Sequence, residues 1–289
     1  MEIIHLIVLL TVIILAYLFL GFSLQIIIAN VPRSSVDEQP DWGTVEEHRI
    51  PTINGKTMEC WVVHPDKGKE KNEEYPAVLL VHGWGRNRGR MVSRARIYGQ
   101  KGFTTILFSA RDHGHSDKEL TGMSIVRFSQ DLEAVVKWWG KPVIVAGHSI
   151  GGGAALIVAG KSELIRAVIA ETPPMAFPQR LKNVYRPALR WLTPVLMPGI
   201  RLSTWIAFRK HSKLDYSPIE ASSKIKVPVF LIHGKEDSIF SYEDTIRLGK
   251  KLACKVWIPE NTSHFDIENH PDYSEQVMSF VESVYPSVR

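Results

Sequence analysis

Six short, almost wholly apolar runs, at 77–81, 104–108, 143–146, 167–170, 229–232 and 256–258, punctuate the chain beyond its N-terminal region. A strand with one wet face alternates apolar and polar residues. These runs do not, so they suit strands buried on both faces of a parallel sheet packed between helices. Patterns of helical period at 91–100, 125–139, 151–159, 242–252 and 273–284 supply the crossovers that parallel strands require. Ahead of them, 45–53 and 58–64 read as two strands around Asn54-Gly55, a dipeptide suited to the positive φ of a tight hairpin. The expectation is a doubly wound, mostly parallel α/β sheet entered through an antiparallel hairpin. The interval from 172 to 228 breaks the alternation. It is too long for a plain connection and rich in proline, aromatic residues and arginine, and we expect an inserted helical lid at about 173–217.

The N-terminal region obeys a different rule. From Ile3 to Ala29 there is no Asp, Glu, Lys or Arg, a run of about 27 residues or roughly 40 Å as a helix, more than the roughly 30 Å of bilayer hydrocarbon. A cleaved signal peptide would begin with basic residues and close on a small-residue site. Here Glu2 is the only charged side chain ahead of the run and no A-x-A pattern ends it, so an uncleaved transmembrane anchor over 1–30 is expected. Only Arg33 lies close behind the span, so the positive-inside rule assigns no side of the membrane. Residues 31–43, with two prolines, two serines and several acids, read as a linker, and 44–289 as one catalytic domain carrying the lid. For the whole chain, an apolar fraction of 45% and a charged fraction of 22% exclude a disordered or fibrous class.

The chemistry-bearing pattern is Gly147-His148-Ser149-Ile150-Gly151, which directly follows an apolar strand and directly precedes a helix of small residues. A G-x-S-x-G pattern in that strand–turn–helix setting places a serine hydroxyl on a tight turn, with glycines that let the main chain pack closely. The helix N-terminus beneath it offers free N–H groups and a dipole favourable to developing negative charge. Ser149 is therefore the candidate nucleophile.

Four blocks together resemble the α/β-hydrolase superfamily, over nearly everything from Val45 onward: His82-Gly83-Trp84-Gly85, Ser109-Ala110-Arg111-Asp112-His113-Gly114-His115-Ser116, the Ser149 turn, and Val227 to Gly234 leading to Asp237. The lid position looks most like the monoacylglycerol lipase and serine-aminopeptidase-like branch. The resemblance implies the order nucleophile, acid, histidine, which gives Asp237 as the acid, with Glu236 and Glu171 as its nearby competitors. It gives His264 as general base. His270 is the alternative, but Pro271 after it marks a helix start, where a histidine more often has a local structural role. It also implies an oxyanion hole made by the backbone N–H groups of Trp84 and Ile150. Hydrolysis of a carboxylic ester with an apolar or lipid-like acyl chain is the expected activity. Amide or peptide hydrolysis and acyl or thioester transfer share the same triad, and a non-catalytic binding protein of the same fold is a further alternative.

No metal or cofactor is expected. Cys60 and Cys254 are far apart with no metal-ligand spacing, and Asp112-His113-Gly114-His115 offers too few ligands to specify a metal. The formal net charge of +5 is concentrated near the expected site: Arg86, Arg88, Arg90, Arg94 and Arg96 follow the oxyanion block, and eight further Lys and Arg residues lie between Glu171 and Asp215 with no acid among them. Arg186 and Arg190, with Trp191 and Trp205 nearby, suggest a basic amphipathic lid at an anionic membrane interface, touching a lipid-like substrate together with Arg86. The competing reading pairs these arginines with acids of the body. Without a recognition motif, no nucleic-acid partner is expected.

Overall fold

The computed structural model describes residues 2–29, 34–35, 38–66, 75–119, 124–175, 202, 205 and 209–285. Helix α1 (Glu2–Ala29) is followed by an eight-stranded sheet with the order β1-β2-β4-β3-β5-β6-β7-β8. Its strands are β1 (Gly43–Pro51), β2 (Thr57–Pro65), β3 (Ala77–Val81), β4 (Thr105–Phe108), β5 (Val143–His148), β6 (Ile165–Glu171), β7 (Val229–Ile232) and β8 (Lys255–Trp257). Strands β1 and β2 form the antiparallel hairpin and β2 runs antiparallel to β4; the pairs from β4 through β8 are parallel. At the hairpin turn Gly55 has φ of 76°, a conformation that glycine adopts without a Cβ clash.

Residues β3, β4, β5 and β7 are buried throughout, as their lack of alternation requires. Alternate side chains serve two cores. Leu79, Val81, Ile106, Val145 and Val168 pack on one face with α3 (Ile125–Trp139) and α4 (Ile150–Ala159). Val78, Leu80, Leu107, Ile144 and Ile169 pack on the other with α2 (Val92–Gln100) and α6 (Tyr273–Val284), while Leu248 of α5 (Tyr242–Leu252) joins the first core. The hairpin strands are shifted from the expected 45–53 and 58–64 because pairing extends outward on both arms to Gly43 and Pro65.

No residue in the 18-residue apolar stretch of α1 is buried, and the helix is long and apolar enough to cross a membrane. The linker expected at 31–43 is not featureless. Asn87 Nδ2 donates to Ser34 O at 3.0 Å, Ser34 Oγ at 3.0 Å and Ser35 O at 2.6 Å. Further along, Arg96 pairs with Glu38 and Asp41, and Trp42 is buried against α2 at Gly99. Of the expected lid, only the two ends together with Leu202 and Trp205 are described.

Candidate active site

Strand β5 ends and α4 begins at Ser149, whose φ of 55° and ψ of −124° lie outside the comfortable region for a residue with a Cβ. Such a conformation costs of the order of 1–3 kcal/mol and persists only where surrounding structure enforces it. The enforcement is visible. Ser149 N–H donates to Glu171 O at 2.8 Å, and its carbonyl accepts from Gly153 N–H at 3.1 Å. A Cβ on Gly147 would come within 2.5 Å of the Gly151 main chain, and one on Gly151 would overlap the carbonyls of Val81 and His82. Both flanking glycines are thus demanded by main-chain approach.

The structure brings the three side chains expected from sequence into one line. Ser149 Oγ lies 3.1 Å from His264 Nε2, and His264 Nδ1 lies 2.7 Å from Asp237 Oδ2. Asp237 sits in the loop after β7 with its carboxylate fully sheltered. Its Oδ1 accepts N–H bonds from Ile239 at 2.7 Å and Phe240 at 2.9 Å, while Oδ2 also lies 3.1 Å from His233 Nε2. Burial pushes this carboxyl upward, but the hydrogen bonds from His233 and His264 outweigh it and hold Asp237 well below the usual carboxylate range. An acceptor-only carboxylate at Nδ1 fixes the proton there and leaves Nε2 as the acceptor facing the Ser149 hydroxyl. Both competing acids are elsewhere: Glu236 is exposed, and Glu171 is buried on Arg94 at 2.8 Å with Tyr273 donating to its other oxygen. His270 packs edge-on against Trp257 and takes the Asp272 N–H, a local role at a helix start.

Above the serine, Ile150 is the first residue of α4, where an N–H has no partner within the helix. In the loop after β3, His113 Nε2 takes the Gly85 N–H at 3.1 Å and Gly83 O takes that of Arg86 at 3.2 Å. The Trp84 N–H between them has no acceptor among the described residues. His82 closes the same loop, with Nδ1 donating to Gly83 O at 2.7 Å and Nε2 accepting from Ala110 N–H at 2.9 Å; its burial lowers it to about 3, so it stays neutral.

Sequence reasoning passed over two histidines that brace this site. His148, the variable residue before the serine, donates from Nε2 to the main-chain carbonyl of His264 at 2.8 Å and lies beside Gly83, so it joins the three loops of the site. Burial, with the nearby charges of Arg94 and His264, depresses its basicity. His233 spans Asp237 and Thr245 Oγ1, the latter at 2.6 Å. The only sequence signal for either was its place within a quoted block.

Four of the five arginines after the oxyanion block are paired with acids distant in sequence: Arg88 with Glu59 and Glu47, Arg90 with Glu268, Arg94 with Glu171 and Glu268, Arg96 with Glu38 and Asp41. Arg86 differs. It is exposed, has no acid partner among the described residues and lies over the Phe265 ring at 5.6 Å. Trp205 is also exposed; Arg186, Arg190 and Trp191 fall outside the described residues. Among the described residues there is no cluster of three or more potential metal ligands from His, Cys, Asp and Glu.

With this fold and a serine on its strand–helix turn, the chain belongs to the alpha/beta hydrolase family, whose sequence model matches residues 78–276. It is 26% identical over 223 residues to a bifunctional esterase/perhydrolase of Acinetobacter calcoaceticus, covering 62% of this chain and 79% of that protein. Among solved structures it is similar to an esterase of Pyrococcus furiosus, with a TM-score of 0.69 at 20% identity over 88% of this chain and 98% of that one. It is also similar to a membrane phospholipase A described as a bacterial virulence factor, with a TM-score of 0.62 at 16% identity over 99% of both chains.

Proposed function

We propose that this protein is a membrane-anchored serine hydrolase that cleaves carboxylic esters with an apolar acyl chain, using Ser149, His264 and Asp237. The observation that carries the reading is the unbroken series Ser149 Oγ, His264 Nε2, His264 Nδ1, Asp237 Oδ2, with links of 3.1 Å and 2.7 Å. His264 Nε2 takes the proton as Ser149 Oγ bonds to the ester carbonyl carbon, and the oxyanion so formed turns toward the N–H groups of Trp84 and Ile150. The imidazolium, stabilised by ionised Asp237, then protonates the departing alcohol oxygen and leaves an acyl-enzyme. Water, deprotonated by the same nitrogen, attacks the acyl carbon; the bond from that carbon to Ser149 Oγ then breaks, the imidazolium returns its proton to Oγ, and the carboxylic acid leaves. The esterase relative supports an ester substrate. Anchoring is supported by the length and apolarity of α1, and by the membrane phospholipase A likeness extending over 99% of the chain.

The test is a panel of p-nitrophenyl esters of increasing acyl length, run beside aminoacyl amides with Ser149→Ala as control. Preference for long acyl chains is the expected result. Selective amide cleavage, or a rate that survives Ser149→Ala, overturns the reading.

A further inference from the structure

The chain leaves α1 at Ala29 and is next pinned at Ser34 and Ser35 by the side chain of Asn87. Asn87 is 2% exposed and stands three residues beyond Trp84, the candidate oxyanion donor. It does two jobs, because its Oδ1 also caps the helical turn Arg88–Met91 by accepting the Gly89 N–H at 2.9 Å. The segment then continues along α2, where Arg96 holds Glu38 at 3.3 Å and Asp41 at 2.8 Å, and ends at Trp42, whose indole donates to Thr105 Oγ1. What composition reads as a linker is therefore fastened beside the oxyanion loop at Ser34 and, at Trp42, to the start of β4 at the opposite end of the sheet.

Five residue steps separate Ala29 from Ser34, at most roughly 18 Å of extended chain, and three more separate Asn87 from Trp84, roughly 11 Å. With the Asn87 side chain and its hydrogen bond bridging the two stretches, the nucleophile's mouth lies within roughly 40 Å of the end of α1. A long slack tether would leave the domain's orientation free, whereas the pin at Asn87 shortens the tether to the five steps from Ala29 to Ser34. The loop pinned by Asn87 carries Arg86, which has no acid partner among the described residues and lies over Phe265, itself 48% exposed and directly following His264. A cation beside an exposed aromatic ring suits an anionic lipid surface.

We propose that the chain held at Ser34 and Ser35, and again at Glu38, Asp41 and Trp42, acts as a docked strap that holds the active-site mouth against an anionic bilayer, so that the ester is taken from the membrane rather than from bulk water. This rests on the anchored-esterase reading above.

The test uses the full chain in phosphatidylcholine–phosphatidylglycerol vesicles, with a fluorogenic long-chain ester in the bilayer and p-nitrophenyl acetate in the water. Two variants are compared with wild type: residues 34–41 replaced by a glycine–serine segment of equal length, and a twenty-residue glycine–serine insertion between Ala29 and Ser34. Each should lose roughly fivefold or more on the bilayer ester, as a fixed close orientation becomes one of many. Both should keep the soluble rate within about twofold of wild type. Energy transfer from a dye at Phe265→Cys, in a Cys254→Ser background, to headgroup-labelled lipid should fall in parallel. Unchanged bilayer rates and unchanged transfer in both variants overturn the strap. Loss of all hydrolysis in wild type with transfer still strap-dependent overturns the esterase reading and sustains the strap. Release of wild type by carbonate washing overturns the anchor reading and the strap with it.

Discussion

Replacing Asp237 by asparagine removes one charge while keeping shape, and the structure dictates which way the new amide points. The Ile239 and Phe240 N–H groups lie 2.7 Å and 2.9 Å from Oδ1, so that position must remain an oxygen acceptor. The amide NH2 is thereby forced into the place of Oδ2, facing His264 Nδ1, which must then accept rather than donate. The ring proton moves to Nε2 and points at Ser149 Oγ, 3.1 Å away, where an acceptor is needed. Wrong tautomer and lost ion pairing together should lower kcat by about 10⁴, or about 5.4 kcal/mol of barrier. His233 can adapt, since its Nε2 can accept from the amide while Nδ1 donates to Thr245, so thermal stability should change little. Steady-state hydrolysis of a soluble ester measures the first effect and thermal unfolding the second. Glu236→Gln, at an exposed carboxylate, should stay within about threefold of wild type. An Asp237→Asn rate within tenfold of wild type, or an equal loss in Glu236→Gln, would refute the assignment of the acid.

Two further outcomes follow from the packing of the site. Gly151→Ala places a Cβ against the main-chain carbonyls of Val81 and His82 and should cost about 1–3 kcal/mol, lowering Tm by about 3–10 °C along with activity. Gly153→Ala, whose Cβ would have the Ile125 side-chain end at 3.0 Å and the Pro174 ring at 3.1 Å as its nearest neighbours, sets a tight but side-chain-only contact against a helix-propensity gain of about 1 kcal/mol and should be near neutral in the same melts. His82, lowered to about 3, and His148, also lowered, stay neutral when folded but take up protons when unfolded. Their contribution is complete above the unfolded value of about 6.5 and declines as pH falls through it toward the folded values. The unfolding free energy from urea melts should be lower at pH 5.5 than at pH 7.5, by on the order of 1 kcal/mol for each histidine, and an unchanged free energy would contradict the neutral assignment.

The sheet was legible because its strands are buried on both faces, so runs such as 77–81 and 229–232 carry no competing polar pattern. Several strand ends shifted: Gly43 and Pro65 extend the hairpin pairing, and His148 and Glu171 extend β5 and β6, without any apolar signal of their own. Ser149 and its turn were legible from local spacing, and the positions of Asp237 and His264 from the order of the blocks. For the arginine-rich stretch, pairing with acids of the body was one of two readings and the partners were not legible, since Glu59, Glu171 and Glu268 are brought near Arg88, Arg90 and Arg94 only by folding. The strap at Ser34 was hidden for the same reason: its partner is one side chain, Asn87, more than fifty positions away.

The central claim is that Ser149 is a nucleophile activated by His264. Treating the full chain in detergent with a fluorophosphonate and measuring intact mass, followed by peptide mapping, tests it directly. The account predicts one covalent adduct per chain, located on Ser149, abolished by Ser149→Ala and strongly slowed by His264→Ala. No adduct on the wild-type chain, or an adduct that persists in Ser149→Ala, would contradict it.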